Sequence, residues 1–146
     1  MTSTVLITGC SSGIGAAAVQ HFAAQGWNVA ATLRNPASAH FDDGAGKVAT
    51  FPLDVTDQHS VDAAVAQAVE RFGQIDVLIN NAGYGLFGPF ESATQEVIER
   101  QFQTNVFGVF DVTRAAAHAR ARQRRHHQRG VAHGPGGDAA VLAVCG

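Results

Sequence analysis

Eight consecutive residues, Thr8-Gly9-Cys10-Ser11-Ser12-Gly13-Ile14-Gly15, have the types and spacing to hold an anion. They lie between the apolar run Val5-Leu6-Ile7 and an alanine-rich segment, so a strand runs into a glycine turn that opens a helix. A helix start leaves backbone N–H groups without intrahelical partners, and the helix dipole adds positive potential there. Phosphate is the natural guest. Gly9 permits the tight turn, Gly13 lets a phosphate approach the backbone, and Gly15 lets the helix sit close on the strand, a set that suits a dinucleotide pyrophosphate. A P-loop would follow its last glycine with Lys and Ser or Thr. Here the chain reads Ile14-Gly15-Ala16, which excludes it.

Three later stations extend this chemistry. At the end of the second apolar run, where an acidic residue would bind the ribose 2′-hydroxyl of NAD, the chain has Leu33-Arg34-Asn35. A guanidinium pairs bidentately with a 2′-phosphate, so Arg34 favours NADP over NAD. Asp54, in Leu53-Asp54-Val55, stands where a third strand runs out and could accept from an adenine amino group. Asp57 would cap the helix that follows, leaving Asp54 free. Asn80-Asn81-Ala82-Gly83 closes a fourth strand; its small residues would admit a cofactor and its amides could tie strand ends together.

The elements that position these residues alternate. Strands are predicted near 4–7, 27–32, 47–52 and 75–79, separated by helical patterns. The first helix follows Gly15, with Ile14, Ala18 and Phe22 on one stripe and Gly26 ending it; the second carries Val61, Val65, Ala68, Val69 and Phe72 up to Gly73. A third helix, from about Thr94 to Arg114, places Ile98, Phe102, Asn105 and Val109 on one stripe. Strands alternating with helices, the fourth being largely apolar, imply an α/β fold with a doubly wound parallel sheet.

Composition bounds the rest. A chain of 146 residues, 46% hydrophobic and 15% charged, is one ordinary globular domain without a membrane span. Cys10 and Cys145 make no disulfide framework, and a cytoplasmic location is expected. The net charge of −2 hides a division. Up to Asp111 the cations Arg34, Lys47, Arg71 and Arg100 face eleven acids, whereas afterwards six arginines face only Asp138. All nine Phe, the Trp and the Tyr lie at or before Phe110. Such a break marks a boundary between a domain over 1–115 and a basic Ala/Arg/Gly/His-rich tail over 116–146. Arg124-Arg125-His126-His127 with His133 lacks metal-ligand spacing, and the arginines lack aromatic platforms; no metal, nucleic acid or membrane partner is expected.

The glycine loop together with Asp54-Val55 and Asn80-Asn81-Ala82-Gly83 resembles the short-chain dehydrogenase/reductase family, classical branch, over about residues 3–115. The resemblance implies a Rossmann fold, a nicotinamide cofactor and hydride transfer between an alcohol and a carbonyl. It implies that Gly9, Ser11, Ser12, Gly13, Ile14 and Gly15 meet the phosphates, Arg34 the 2′-phosphate, Asp54 and Val55 the adenine, and Asn81, Ala82 and Gly83 the adenosine ribose side. Asn105 would be the asparagine of the catalytic tetrad, although its glycine, Gly108, falls three residues on rather than four. Complete relatives would form homo-oligomers. Leu86, Phe87 and Phe90, in the loop from Tyr84 to Glu91, point to a small apolar substrate.

The family's serine and Tyr-x-x-x-Lys are not written here. The only tyrosine, Tyr84, is followed four residues on by Gly88, the only lysine is Lys47, and no serine follows Ser92. The chain is therefore expected to bind cofactor without turning over, as a binding module or fragment truncated after about four strands, with an apolar sheet edge that lowers solubility. The tail itself reads as a disordered or a frameshifted segment. Advancing its generic codons by one base permits Gly-Gly-Ile-Ile-Asn over Arg124 to Gln128, serine at Val131 and tyrosine at Val144, thirteen positions apart as in the family.

Overall fold

The computed structural model describes residues 2–42, 46–130 and 141–142. Five parallel strands lie in the order β3-β2-β1-β4-β5: β1 Thr4–Ile7, β2 Asn28–Leu33, β3 Val48–Pro52, β4 Val77–Ile79 and β5 Val141–Leu142. Chain order runs outward from β1 to β3 and then jumps back across β1 to β4. The sheet is thus doubly wound, with its switch point between β1 and β4.

β1 is central and buried along its whole length. Alternation then assigns its side chains to two layers. Leu6 joins Ala30, Phe51, Leu53, Val61, Val65, Leu78 and Val112 under α2 (Gln58–Phe72) and α4 (Gly108–Gly130). Val5 and Ile7 join Val19, Val29 and Ala31 under α1 (Gly13–Ala24). Burying each aliphatic side chain contributes about 1.5–3 kcal/mol, which is why a continuous apolar run such as Val5-Leu6-Ile7 belongs at the centre. The cap of α2 is the predicted one: Asp57 accepts from the His59 N–H at 2.9 Å, and Gly73, at φ +85°, ends the helix.

On α1 the predicted stripe holds at Ala18 and Phe22, which pack against the core, but not at Ile14. On α1 the buried positions are Gly15 and Val19, while Ile14 is 72% exposed at the open end of the helix. The third helix is not continuous. α3 (Gln95–Phe102) passes through a π-helical turn, Gln103–Phe107, into α4, and the wider turn shifts the register. Of the predicted stripe, Phe102 is exposed while Ile98, Asn105 and Val109 are half-buried, and Val112 and Ala116, three and seven residues beyond Val109, join the core; Phe107 and Phe110, off the stripe, face solvent. α4 also runs on to Gly130, through the predicted boundary at 115, as its alanines and arginines favour helix. Residues 131–140 and 143–146, the rest of the predicted tail and the positions of the frameshifted serine and tyrosine, lie outside the described residues. The sheet holds one strand more than the four expected: Val141 and Leu142 pair with Leu78 and Ile79 and cover part of the edge of β4.

Candidate functional site

The register of the two strands at the switch point brings the first and fourth loops together. Ile7 pairs with Ile79, so Thr8 and Asn80 leave the sheet side by side. The Thr8 hydroxyl accepts from the N–H groups of Asn81 and Ala82, both at 3.0 Å. In return the Asn81 amide donates to the carbonyls of Thr8 and Gly9 at 3.1 and 3.0 Å. Asn80 is buried and donates to the Thr113 hydroxyl at 3.1 Å, tying β4 to α4. Asn81 therefore joins the ends of β1 and β4, as its position suggested, and holds the glycine loop, whereas Asn80 ties its strand end to α4. Thr8, which sequence reasoning quoted within the motif without a role, is the hub of these bonds.

The glycines divide by direction. A Cβ on Gly9 would lie 2.7 Å from the Ala82 Cα, and one on Gly15 would collide with the Gly9 carbonyl and the Asn81 amide. Gly13, at φ +59°, has nothing within 4 Å of that position. Gly9 thus admits the loop after β4, Gly15 lets α1 sit close on the glycine loop, and Gly13 faces open space where an anion can approach. Ser12 takes the N-cap place with extended backbone, yet its side chain makes no capping bond, and the first turn of α1 has no acidic residue. Ser11, Ser12, Gly13 and Ile14 are exposed. Unpaired N–H groups, a spare hydroxyl and an open glycine at a helix start fit a pyrophosphate.

Cys10, inside the same loop, does not share its exposure. It is buried, its thiol donates to the Ile7 carbonyl at 3.1 Å, and burial pushes its pKa to about 12. At neutral pH it is a packed thiol and no nucleophile.

Along the same edge, Leu33 pairs with Pro52, which sets exposed Arg34 near Asp54. Asp54 is not left free as expected. Its Oδ1 accepts from the Thr56 hydroxyl at 2.7 Å and the Thr56 N–H at 2.9 Å. Short polar side chains close such turns locally, so Asp54 caps its own loop while Asp57 caps α2. The Thr56 bonds hold the Asp54 carboxyl below the ordinary carboxylate range, and the Arg34 charge adds to this. Val55 is buried against Gly108, whose Cβ, if present, would lie 2.8 Å from the Val55 Cγ2. The glycine that falls three residues after Asn105 thus lets α4 approach the loop after β3.

Asn105 sits within the π-helical turn. Its Oδ1 accepts from the Tyr84 N–H at 3.1 Å and its Nδ2 donates to the Tyr84 carbonyl at 2.8 Å. Both ends of the amide are committed to the loop after β4. A Cβ on Gly83 would come within 3.1 Å of the same Oδ1.

Among the described residues no cluster of His, Cys, Asp or Glu could hold a metal ion, and no helix is long and apolar enough to cross a membrane.

Comparison with known proteins agrees with this arrangement. An uncharacterised oxidoreductase of Schizosaccharomyces pombe is 47% identical over 114 residues, 78% of this chain and 38% of that protein. A 3-ketodihydrosphingosine reductase of Bacteroides thetaiotaomicron is 41% identical over 121 residues, 83% of this chain and 43% of its own length. The crystal structure of a 3-ketoacyl-(acyl-carrier-protein) reductase from Brucella melitensis, complexed with NADH, superposes with a TM-score of 0.75 at 32% identity, covering 86% of this chain and 53% of the other. The chain thus spans about half the length of the relatives it matches or less. A short chain dehydrogenase model matches residues 3–127, a stretch that includes the glycine loop, Asp54, Asn81 and Asn105. With the doubly wound sheet and the loop pair at its switch point, this match means that the chain belongs to the short-chain dehydrogenase family.

Proposed function

We propose that this chain is the cofactor-binding part of a short-chain oxidoreductase that uses NADP(H), and that its 146 residues as written bind the dinucleotide without turning over. The observation that carries the reading is the Thr8–Asn81 lock, which presents the glycine loop with Gly13 open and Ser12 unengaged. The bound cofactor would supply the hydride, exchanged between an alcohol and a carbonyl carbon. This chain's residues hold and orient it: the α1 start with Gly9, Ser11, Ser12, Gly13, Ile14 and Gly15 at the phosphates, Arg34 at the 2′-phosphate, Asp54 and Val55 at the adenine, and Asn81, Ala82 and Gly83 along the ribose side. Asn105 takes the tetrad asparagine's place. The substrate is a small molecule of apolar character, the setting cytoplasmic, and the complete protein a homo-oligomer.

NADPH titration followed by nicotinamide fluorescence tests the reading. Saturable binding is expected, tighter than for NADH. Arg34→Ala should remove charge-assisted bonds worth about 1.5–3 kcal/mol, weakening NADPH about 10- to 100-fold with NADH unchanged. Equal loss for both cofactors would remove Arg34 from the 2′-phosphate, and no saturable change for either would leave only a non-functional fragment.

The absence of Tyr-x-x-x-Lys favours the inactive module over an active enzyme. The tail from 116 onward is read as a frameshifted continuation of the fold, carrying the missing serine and tyrosine in the neighbouring frame. Sequencing the gene and weighing the intact protein decides this; a DNA read encoding the written tail in a stable, abundant protein rules out an error of reading.

A further inference from the structure

The backbone around Asp54 is engaged on every side. The Leu53 N–H still donates to the Leu33 carbonyl at 3.0 Å, so the chain leaves the sheet immediately before Asp54. The Asp54 N–H then donates to the Ser60 hydroxyl at 2.9 Å, and the Asp54 carbonyl accepts from the Asp57 N–H at 3.1 Å. The next residue, Val55, is buried against Gly108 of α4. With donor and acceptor both taken, the freedom left to Asp54 is rotation of its side chain.

Thr56 removes that freedom. Its hydroxyl at 2.7 Å and its N–H at 2.9 Å both end on Asp54 Oδ1. A hydroxyl that close to a carboxylate oxygen makes a charge-assisted bond, stronger than one between neutral groups. The two bonds fill one oxygen only; among the described residues nothing donates to Oδ2. An ionised carboxylate has no proton to give, so Oδ2 is an acceptor and its fitting partner is an N–H or O–H. Thr56 itself is exposed, and its side chain is no part of either core layer. Its hydroxyl is spent on the orientation of one carboxylate.

We propose, resting on the cofactor reading above, that Thr56 is a positioning residue for the adenine: by engaging Oδ1 it fixes the Asp54 carboxylate so that Oδ2 accepts from the exocyclic amino group. Ser60 supports this from the backbone. The site thereby selects a base that carries an amino group there. A purine with a carbonyl in its place sets acceptor against acceptor and is rejected.

The test compares two probes by nicotinamide fluorescence, NADPH and reduced nicotinamide hypoxanthine dinucleotide phosphate, whose base has the carbonyl. Both carry the same pyrophosphate and 2′-phosphate, so those contacts cancel in the ratio of the two Kd values. The 146-residue chain is titrated as wild type, Thr56→Val, Thr56→Ser, Asp54→Ala and Asp57→Ala. The wild type should prefer NADPH by about tenfold, and Thr56→Val should bring the two probes within about threefold of each other, the loss falling on NADPH. Thr56→Ser restores the hydroxyl and should restore the preference. Asp57→Ala removes the cap of α2 without touching the Asp54 carboxylate, and should keep it; a merely structural role for Thr56 would make these two variants alike. An undiminished preference in Thr56→Val, a loss in Thr56→Ser as large as in Thr56→Val, or an equal loss in Asp57→Ala would overturn the proposal. Equal binding of both probes by the wild type, a preference retained in Asp54→Ala, or no saturable binding of NADPH would instead refute the cofactor reading at the adenine, and this proposal with it.

Discussion

Substituting Asn81 separates the lock from everything around it. Its amide donates two bonds, to the Thr8 and Gly9 carbonyls at 3.1 and 3.0 Å, and it is partly buried. Each such bond contributes about 1 kcal/mol net, and stranding the two acceptors adds to the loss, so Asn81→Ala should destabilise by about 2–3 kcal/mol. For a domain of this size that lowers Tm by about 6–12 °C. Asn81→Asp keeps the shape but aims a carboxylate oxygen at two carbonyl oxygens. The charged form is disfavoured there, which raises the folded pKa above the unfolded value of about 3.9. The sign follows: Asn81→Asp is most stable at low pH, where the protonated acid can still donate one bond. It loses stability as pH rises from about 4 through its raised folded pKa. Chemical denaturation of the wild type and both variants between pH 4 and 8 measures this. An Asn81→Ala midpoint within about 0.5 kcal/mol of wild type would refute the lock, as would an Asn81→Asp stability that follows the wild type across that range.

Other consequences are more local. Gly108→Ala should destabilise, because the new Cβ would lie 2.8 Å from the Val55 Cγ2 and 3.0 Å from its carbonyl oxygen; overpacking costs about 1–3 kcal/mol, against about 1 kcal/mol of helix propensity gained. A variant as stable as wild type would show that α4 does not press on the loop after β3. The Thr56 bonds lower the Asp54 pKa, so the stability they confer is present above the ordinary carboxylate value and is lost as pH falls through the folded value. Asp54→Asn, which keeps an acceptor oxygen but cannot titrate, should flatten that acid limb in pH-dependent melts. Finally, the purified chain should show no dehydrogenase turnover above background with NADP or NADPH across a panel of alcohols and ketones; measurable turnover would mean that residues other than a tyrosine–lysine pair move the proton.

Local sequence determined the repeating parts of this protein. Apolar runs bounded by glycine turns specify buried strands, Asp57 and Gly73 specify the ends of α2, and the Gly9-Gly13-Gly15 spacing specifies an anion-ready helix start, because each depends on a few neighbouring residues. Only the tertiary structure decided the relations across the chain. That Thr8 and Asn81 interlock follows from β1 and β4 being neighbours at the switch point, 73 residues apart in sequence. Asp54 is a local exception: its partner Thr56 lies only two residues on, but the sequence allows Asp54 either to close its own turn or to stay free, and only the folded loop shows the bond. The stripe through Ile98, Phe102, Asn105 and Val109 is half-buried except at Phe102, but a periodic reading assumes an unbroken helix and could not show the π-helical turn within it. The π-helical turn spends that regularity to aim Asn105 at Tyr84, and it leaves the neighbouring phenylalanines in solvent.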